Sequence, residues 1–205
     1  MIIHDVTQGG DEWKRLRAGL PTASEFDKIV TTTGKPSTQY DAYINKLLAE
    51  IITGKPVDTF EGNAHTERGN ELEPAAVAFY ELQRDVEAVK VGFVTNDEGT
   101  YGCSPDRLLG DDGLLEVKCP APHTHVGYLL NPNVDRKYYP QLQGQLLVTG
   151  RQWVDIISYH PEIQPVIIRV ERDLKFLEEL SRLLRDFTAA LNERKAKLID
   201  KGYLK

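Results

Sequence analysis

The sequence predicts an α/β protein in which a central mixed β-sheet is flanked by helices. Three observations carry this. Apolar residues recur at helical spacing from about residue 22 to residue 83, the period changes to two between Val86 and Pro120, and a helix, two strands and a long closing helix follow. Helices, three strands, helix, two strands, helix is an order that buries one sheet between helices. With 205 residues and 40 % hydrophobic composition, residues 1–205 are expected to form one domain with its own core.

In chain order, "TASEFDKIV" offers two overlapping capping boxes, Thr22 with Glu25 and Ser24 with Asp27, at the start of a short helix. In "STQYDAYINKLLAEIITG", Tyr40, Ile44, Leu47, Leu48 and Ile51 form one helical face, closed by Gly54. "GNELEPAAVAFYELQ" reads as a helix capped by Asn70, with Pro74 in its first turn and Leu72, Ala75, Ala76, Phe79 and Tyr80 inward. "VEAVKVGFV", "TYGCSPDRLL" and "LLEVKC" are three strands joined by Asn-Asp-Glu-Gly and Gly-Asp-Asp-Gly turns. "DRKYYPQLQGQLLVTG" is a helix ended by Gly150, with a kink expected at Pro140. "QWVDIISYH" and "PVIIRV" are two more strands. Arg172 to about Asp200 is an amphipathic helix with a stripe of Leu174, Leu177, Leu180, Leu184, Phe187 and Leu191.

Composition excludes several classes. No apolar run reaches bilayer length, and "MIIHDVTQGGDEW" lacks the pattern of a signal peptide. Cys103 and Cys119 are too few for a disulfide scaffold or an iron–sulfur cluster, so a reduced, cytoplasmic protein is expected. The net charge of −6 opposes a uniformly basic nucleic-acid binder, though Lys14, Arg15 and Arg17, and Arg136 with Lys137, form local basic clusters.

The chemistry concentrates in "GCSPDRLLGDDGLLEVKCP". Glu116 and Lys118, two apart on a strand, share one face, while Leu115, Val117 and Cys119 take the other. Asp106 joins them only if the hairpin loop has an odd number of residues or a bulge; a two-residue turn would aim it away. An odd loop also sets Cys103 across from Cys119, and Gly110 and Gly113 supply the freedom such a loop needs. Facing carboxylates repel unless a cation lies between them. Oxygen ligands favour Mg²⁺ or Mn²⁺ over zinc, and the Val117 carbonyl adds a further oxygen. Lys118 would position a water for attack on a phosphodiester. The plain alternative is a surface hairpin with a Glu–Lys pair and an acid near the turn.

"CSPDRLLGDDGLLEVKCP" resembles the core motif of the lambda-exonuclease (YqaJ-type) branch of the PD-(D/E)xK nucleases. "EWKRLRAGLPTASE", "RGNELEPAAVAFYE" and "YYPQLQGQLLVTGRQWVD" match further segments of that family in order. The resemblance implies a restriction-endonuclease-like core with Asp106 and Glu116 as metal ligands and Lys118 as the water-positioning base. It makes Glu73 the helical acid serving a second metal or its water, against the alternative that Glu73 closes a capping box on Asn70. Gln141 would reach the active centre, whereas Gln143 turns away along the helix. Arg17, Ser24 and Ser104 match positions that hold a DNA 5′-phosphate. Beyond Lys-Cys-Pro the family's basic phosphate contact is missing from "APHTHVGYLL", read here as a loop; His123 or His125 is the available substitute.

The function implied is metal-dependent 5′→3′ exonuclease action on linear double-stranded DNA from a 5′-phosphorylated end. The 3′ single strand left behind would serve recombination by annealing. One or two Mg²⁺ per site are expected, with Mn²⁺ substituting. The implied partners are two further copies in a ring-shaped homotrimer and a single-strand annealing protein, with no membrane. The implied setting is the cytoplasm of a bacterial host carrying a phage or prophage. The rivals are a restriction- or repair-type PD-(D/E)xK endonuclease and a non-catalytic module that binds DNA ends.

Overall fold

The structure, a computed structural model, describes residues 1–57 and 64–204. Its strands are β1 (Ile2–His4), β2 (Ala88–Lys90), β3 (Phe93–Thr95), β4 (Gly102–Cys103), β5 (Arg107–Leu109), β6 (Gly113–Lys118), β7 (Trp153–His160) and β8 (Ile163–Glu171). Its α-helices are α1 (Asp11–Arg17), α2 (Tyr40–Thr53), α3 (Ala64–Arg84), α4 (Pro122–Leu130), α5 (Tyr139–Thr149) and α6 (Leu174–Asp200). The central sheet is mixed, in the order β2-β5-β6-β7-β8, with only β6 and β7 parallel. A smaller antiparallel sheet, β1-β3-β4, lies apart from it.

Two expected strands are each divided between these sheets, for identifiable reasons. "VEAVKVGFV" breaks at Gly92, where a Cβ would stand 2.0 Å from the Val6 carbonyl oxygen, so only a bare backbone passes. "TYGCSPDRLL" breaks at Ser104-Pro105, because Pro105 has no N–H to donate to a ladder. β4 therefore stays with β3 while β5 pairs with β2 and β6.

Both faces of the central sheet are covered. Leu115 and Ile157 pack with Val77 and Tyr80 of α3 on one side; Leu114 and Val154 pack with Leu142 and Leu146 of α5 on the other. The Glu116 face is thus a second interior, which removes the plain alternative of a surface hairpin. The largest apolar cluster joins α2 to α6, where the Phe187 ring lies 4.9 Å from that of Tyr40 and 5.3 Å from that of Tyr43. Among the described residues no helix is long and apolar enough to cross a membrane.

Several local expectations are corrected. Asn70 is interior to α3 and caps nothing, which also places Pro74 inside the helix instead of in its first turn. Ala75 is exposed there and Val77 is buried in its stead. Neither capping box forms: Ala23–Lys28 is a 3₁₀ segment, Thr22 makes no capping bond, and Glu25 pairs with Lys28 and Lys46. Pro140 occupies the first turn of α5, where its missing N–H costs no hydrogen bond and produces no kink. "APHTHVGYLL" is not a loop but contains α4, which starts on Pro122. Leu174 is 73 % exposed at the first residue of α6, and Leu183 joins the buried stripe.

Candidate active site

The β5–β6 hairpin has the odd loop that the chemistry requires. Arg107 pairs with Leu115, Leu108 with Leu114 and Leu109 with Gly113, leaving the three residues Gly110, Asp111 and Asp112 in the turn. Gly110 takes φ +50°, a left-handed conformation that costs glycine little. The buried Arg151 guanidinium donates to the carbonyls of Gly110 and Gly113, both at 2.7 Å, and of Leu109 at 3.2 Å, which pins this loop from within. β5 begins at Arg107, so Asp106 stands at the strand's entrance and accepts from the Val117 N–H at 2.6 Å. The expected pairing of Cys103 with Cys119 does not occur. Cys103 lies opposite Val94 in the small sheet and is buried in the α2–α6 core.

Glu116 is the hub of the site. It is 3 % exposed, and three side chains donate to its carboxylate. Lys118 Nζ at 2.5 Å and Gln141 Nε2 at 2.7 Å share Oε1; Gln145 Nε2 reaches Oε2 at 2.8 Å. Gln141 and Gln145 are one turn apart on α5, so a single helix face holds both carboxylate oxygens. Gln143 points elsewhere, donating to the Glu171 carbonyl and accepting from the Asp173 N–H, as its position two residues along predicts.

Electrostatics mark the same place. Burial, then the charge of Glu116, push the Asp106 carboxyl up to about 8, against the opposing pull of Lys118. Burial disfavours the Lys118 ammonium, but Glu116, by charge and hydrogen bond, outweighs this and raises its pKa above the ordinary lysine value. Lys118 is therefore a cation here, with Tyr138 presenting its ring 4.9 Å away. A cation between Asp106 and Glu116 would relieve the repulsion that raises Asp106, and the donors are hard oxygens suited to Mg²⁺ or Mn²⁺. Among the described residues no three His, Cys, Asp or Glu side chains form a metal cage by themselves, so such an ion would also need the Val117 carbonyl and water.

Glu73 reaches the same end of the sheet from the α3 side. Its carboxylate pairs with Arg107 at 2.7 Å, and Arg107 also donates to the Asp106 carbonyl at 2.6 Å. The alternative role as a capping-box partner of Asn70 disappears with that cap.

Arg17, Ser24 and Ser104 do converge. Arg17 donates to Ser24 Oγ and Thr22 Oγ1, both at 3.2 Å, and to Ser104 Oγ at 3.5 Å. Trp13 completes the pocket: its Nε1 donates to Ser104 at 2.8 Å, and its ring lies 4.2 Å below the Arg17 guanidinium. Burial lowers the Arg17 pKa, and its partners among the described residues are hydroxyls and ring faces, with no carboxylate paired to it. His125 is excluded as a substitute phosphate contact. It is fully buried, with Nδ1 2.7 Å from Ser158 Oγ and Nε2 3.0 Å from the Gln164 carbonyl. His123 is exposed on α4.

Gln145, Arg107 and Trp13 were not singled out from sequence, and Thr22 was read only as a helix cap. Gln145 had a signal, since it lies four residues after Gln141. Arg107 had only its adjacency to Asp106.

A mixed sheet whose central hairpin carries Asp106 and the Glu116–Val117–Lys118 triplet, flanked by helices that deliver Glu73 and Gln141, is a PD-(D/E)xK core. The chain belongs to the YqaJ-like viral recombinase domain family, whose model matches residues 12–152. It is similar to the crystal structure of an alkaline exonuclease (LHK-Exo) from Laribacter hongkongensis, at 32 % identity over 94 % of this chain and 98 % of that one, with a TM-score of 0.84. A structure of LHK-Exo in complex with dAMP matches at 32 % identity over the same shares, with a TM-score of 0.83. A phage-related exonuclease from Haemophilus somnus 129PT shares the fold at 15 % identity, covering 87 % of this chain and 96 % of that one, with a TM-score of 0.69. No curated protein matches the chain.

Proposed function

We propose that the protein is a divalent-metal-dependent exonuclease that degrades one strand of linear double-stranded DNA from a 5′-phosphorylated end, 5′→3′. The observation that carries this is the convergence of Asp106, Glu116 and Lys118 beside a separate pocket built on Arg17. Asp106, Glu116 and the Val117 carbonyl would hold Mg²⁺ or Mn²⁺. Such an ion, when bound, stabilises charge on the phosphate and acidifies water. Lys118, an ammonium two residues from the metal carboxylate, donates to the attacking water and orients it. Gln141 and Lys118 keep Glu116 in one rotamer, and Glu73 serves a second ion or a water of the first.

Arg17 is a half-buried cation with no carboxylate paired to it among the described residues, and a terminal phosphate is the anion its fork and the Ser24 and Ser104 hydroxyls suit. Hydrolysis from that end releases nucleoside monophosphates, the chemical class of the dAMP bound by LHK-Exo. An acidic chain can act on DNA if its basic residues line a channel, which favours the ring-shaped homotrimer. The 3′ single strand produced would pass to a single-strand annealing protein, in the cytoplasm of a bacterial host carrying the phage or prophage.

The test uses linear duplex labelled at either end, with and without a 5′-phosphate, beside covalently closed circles. Loss of label from the 5′-phosphorylated strand first, with Mg²⁺ but not with EDTA and not by Glu116→Ala, is expected. Cutting of closed circles would instead make the protein an endonuclease, and binding of ends without degradation would make it a non-catalytic module.

A further inference from the structure

We propose that Arg68 binds a phosphate of the strand being degraded, next to the scissile one; this rests on the reading of the site as a DNA nuclease. Arg68 lies on α3, five residues before Glu73, about 7.5 Å along the helix axis. It is half-buried, and its Nη2 donates to the carbonyl of Pro120. Pro120 lies two residues past Lys118, so this contact sets the guanidinium at the end of the strand that carries Glu116 and Lys118. The Cys119 thiol beside it lies within charge range of Arg68, Glu73, Asp106 and Lys118 together, which places Arg68 in the neighbourhood of the site.

The contact with Pro120 does not account for an arginine. A neutral carbonyl takes one N–H, which glutamine or lysine also supplies, whereas a guanidinium carries five and a charge that it cannot shed. Among the described residues no carboxylate is paired with it. From Cys119 to Asp135 the chain itself holds no lysine or arginine, and His125 is buried, so Arg68 is the cation that α3 brings to that gap. Phosphate is the anion that a planar fork suits, and every nucleotide of a DNA strand supplies one. Glu116 and Lys118 point toward α5, where the scissile phosphate would lie, while Val117 packs toward α3. Arg68, on the α3 side, is therefore placed for a neighbouring phosphate. Arg17 holds to Ser104 ahead of β5, so the two arginines serve separate phosphates of one strand.

The test follows binding of 5′-phosphorylated linear duplex by fluorescence anisotropy in EDTA over a range of NaCl, with nuclease assays in Mg²⁺ alongside. Each phosphate contact contributes about 0.7–0.9 to the slope of log affinity against log salt. Arg68→Gln keeps an N–H for Pro120 but no charge. It is expected to lose roughly tenfold or more in affinity and about 0.7–0.9 of slope, whereas Arg68→Lys should keep the slope. A single methylphosphonate, stepped along the first phosphates beyond the scissile bond, locates the contact: one position should weaken the intact protein and leave Arg68→Gln indifferent. Arg68→Met is read in the same way if Arg68→Gln does not fold. An unchanged slope and methylphosphonate profile, with only the melting temperature lowered, would make Arg68 a strut between α3 and Pro120. That result overturns the proposal and leaves the nuclease reading standing, provided the intact protein degrades the duplex. An intact protein that neither binds nor degrades it removes both.

Discussion

Replacing Gln145 by methionine should separate catalysis from stability. Gln145 is 1 % exposed and donates to Glu116 Oε2 at 2.8 Å, while its own Oε1 has no hydrogen-bond partner among the described residues. The bond to a carboxylate contributes about 1.5–3 kcal/mol, and the unpaired buried carbonyl costs about 1–3 kcal/mol. Methionine, of similar volume and flexible, removes both, so the two effects offset and stability should change by about 1 kcal/mol or less. Glu116 keeps Lys118 and Gln141 on Oε1 but loses what orients Oε2. Loss of such an outer contact lowers metal affinity or activity by roughly 10–100-fold. Urea unfolding, Mn²⁺ titration and initial rates on 5′-phosphorylated linear duplex measure the three quantities. Gln143→Met is the control: its bonds go to Glu171 and Asp173, so it should lower stability and leave Mn²⁺ affinity unchanged. A Gln145→Met protein that unfolds like the parent and retains its full rate and affinity would refute the positioning argument.

Further outcomes follow from other contacts. Arg17→Gln should weaken use of 5′-phosphorylated duplex by roughly 10–150-fold, from about 1.5–3 kcal/mol of charged hydrogen bonding, with little change on 5′-hydroxyl ends; an equal loss on both would remove the phosphate pocket. Arg151→Ala leaves the Leu109, Gly110 and Gly113 carbonyls without their guanidinium and should cost about 3 kcal/mol or more, with faster amide exchange along β6. Asp173 caps α6 through the Phe176 N–H at 3.0 Å and accepts from Tyr139 Oη at 2.7 Å; the Phe176 bond foremost holds its carboxyl below the usual range. Its stabilisation is fully present above the ordinary carboxylate pKa of about 3.9 and fades as pH falls through the lower folded value. Asp173→Ala should therefore cost about 1 kcal/mol near neutrality and progressively less in acid, read from urea midpoints across pH.

The long periodic elements were legible because their signal is local. Tyr40, Ile44 and Leu47 face one way whatever they meet, and α2 closes at Gly54 as its spacing indicates. The odd hairpin loop was legible for a related reason: only an odd loop or a bulge brings Asp106 to the Glu116 side, and the pairing of Arg107 with Leu115 realises the three-residue form. The breaks at Gly92 and Pro105 were missed because period two continues through both, and only the approach of Val6 and the second sheet shows why pairing stops. α3 was misread at its start because Asn70 and Pro74 imitate a helix beginning, and the helix in fact continues through both.

By itself the sequence determined the α/β order, the strand that presents Glu116 and Lys118 together, and the residue types from which hard-oxygen metal chemistry follows. Tertiary structure alone decided that α5 turns both Gln141 and Gln145 onto Glu116, that Arg107 meets Glu73, and that Arg17 is enclosed by Trp13, Thr22, Ser24 and Ser104. The physical reason is that periodicity sets the direction of a side chain within its own element. Its partner depends on which faces of distant elements pack together, and that choice is made by the whole core at once.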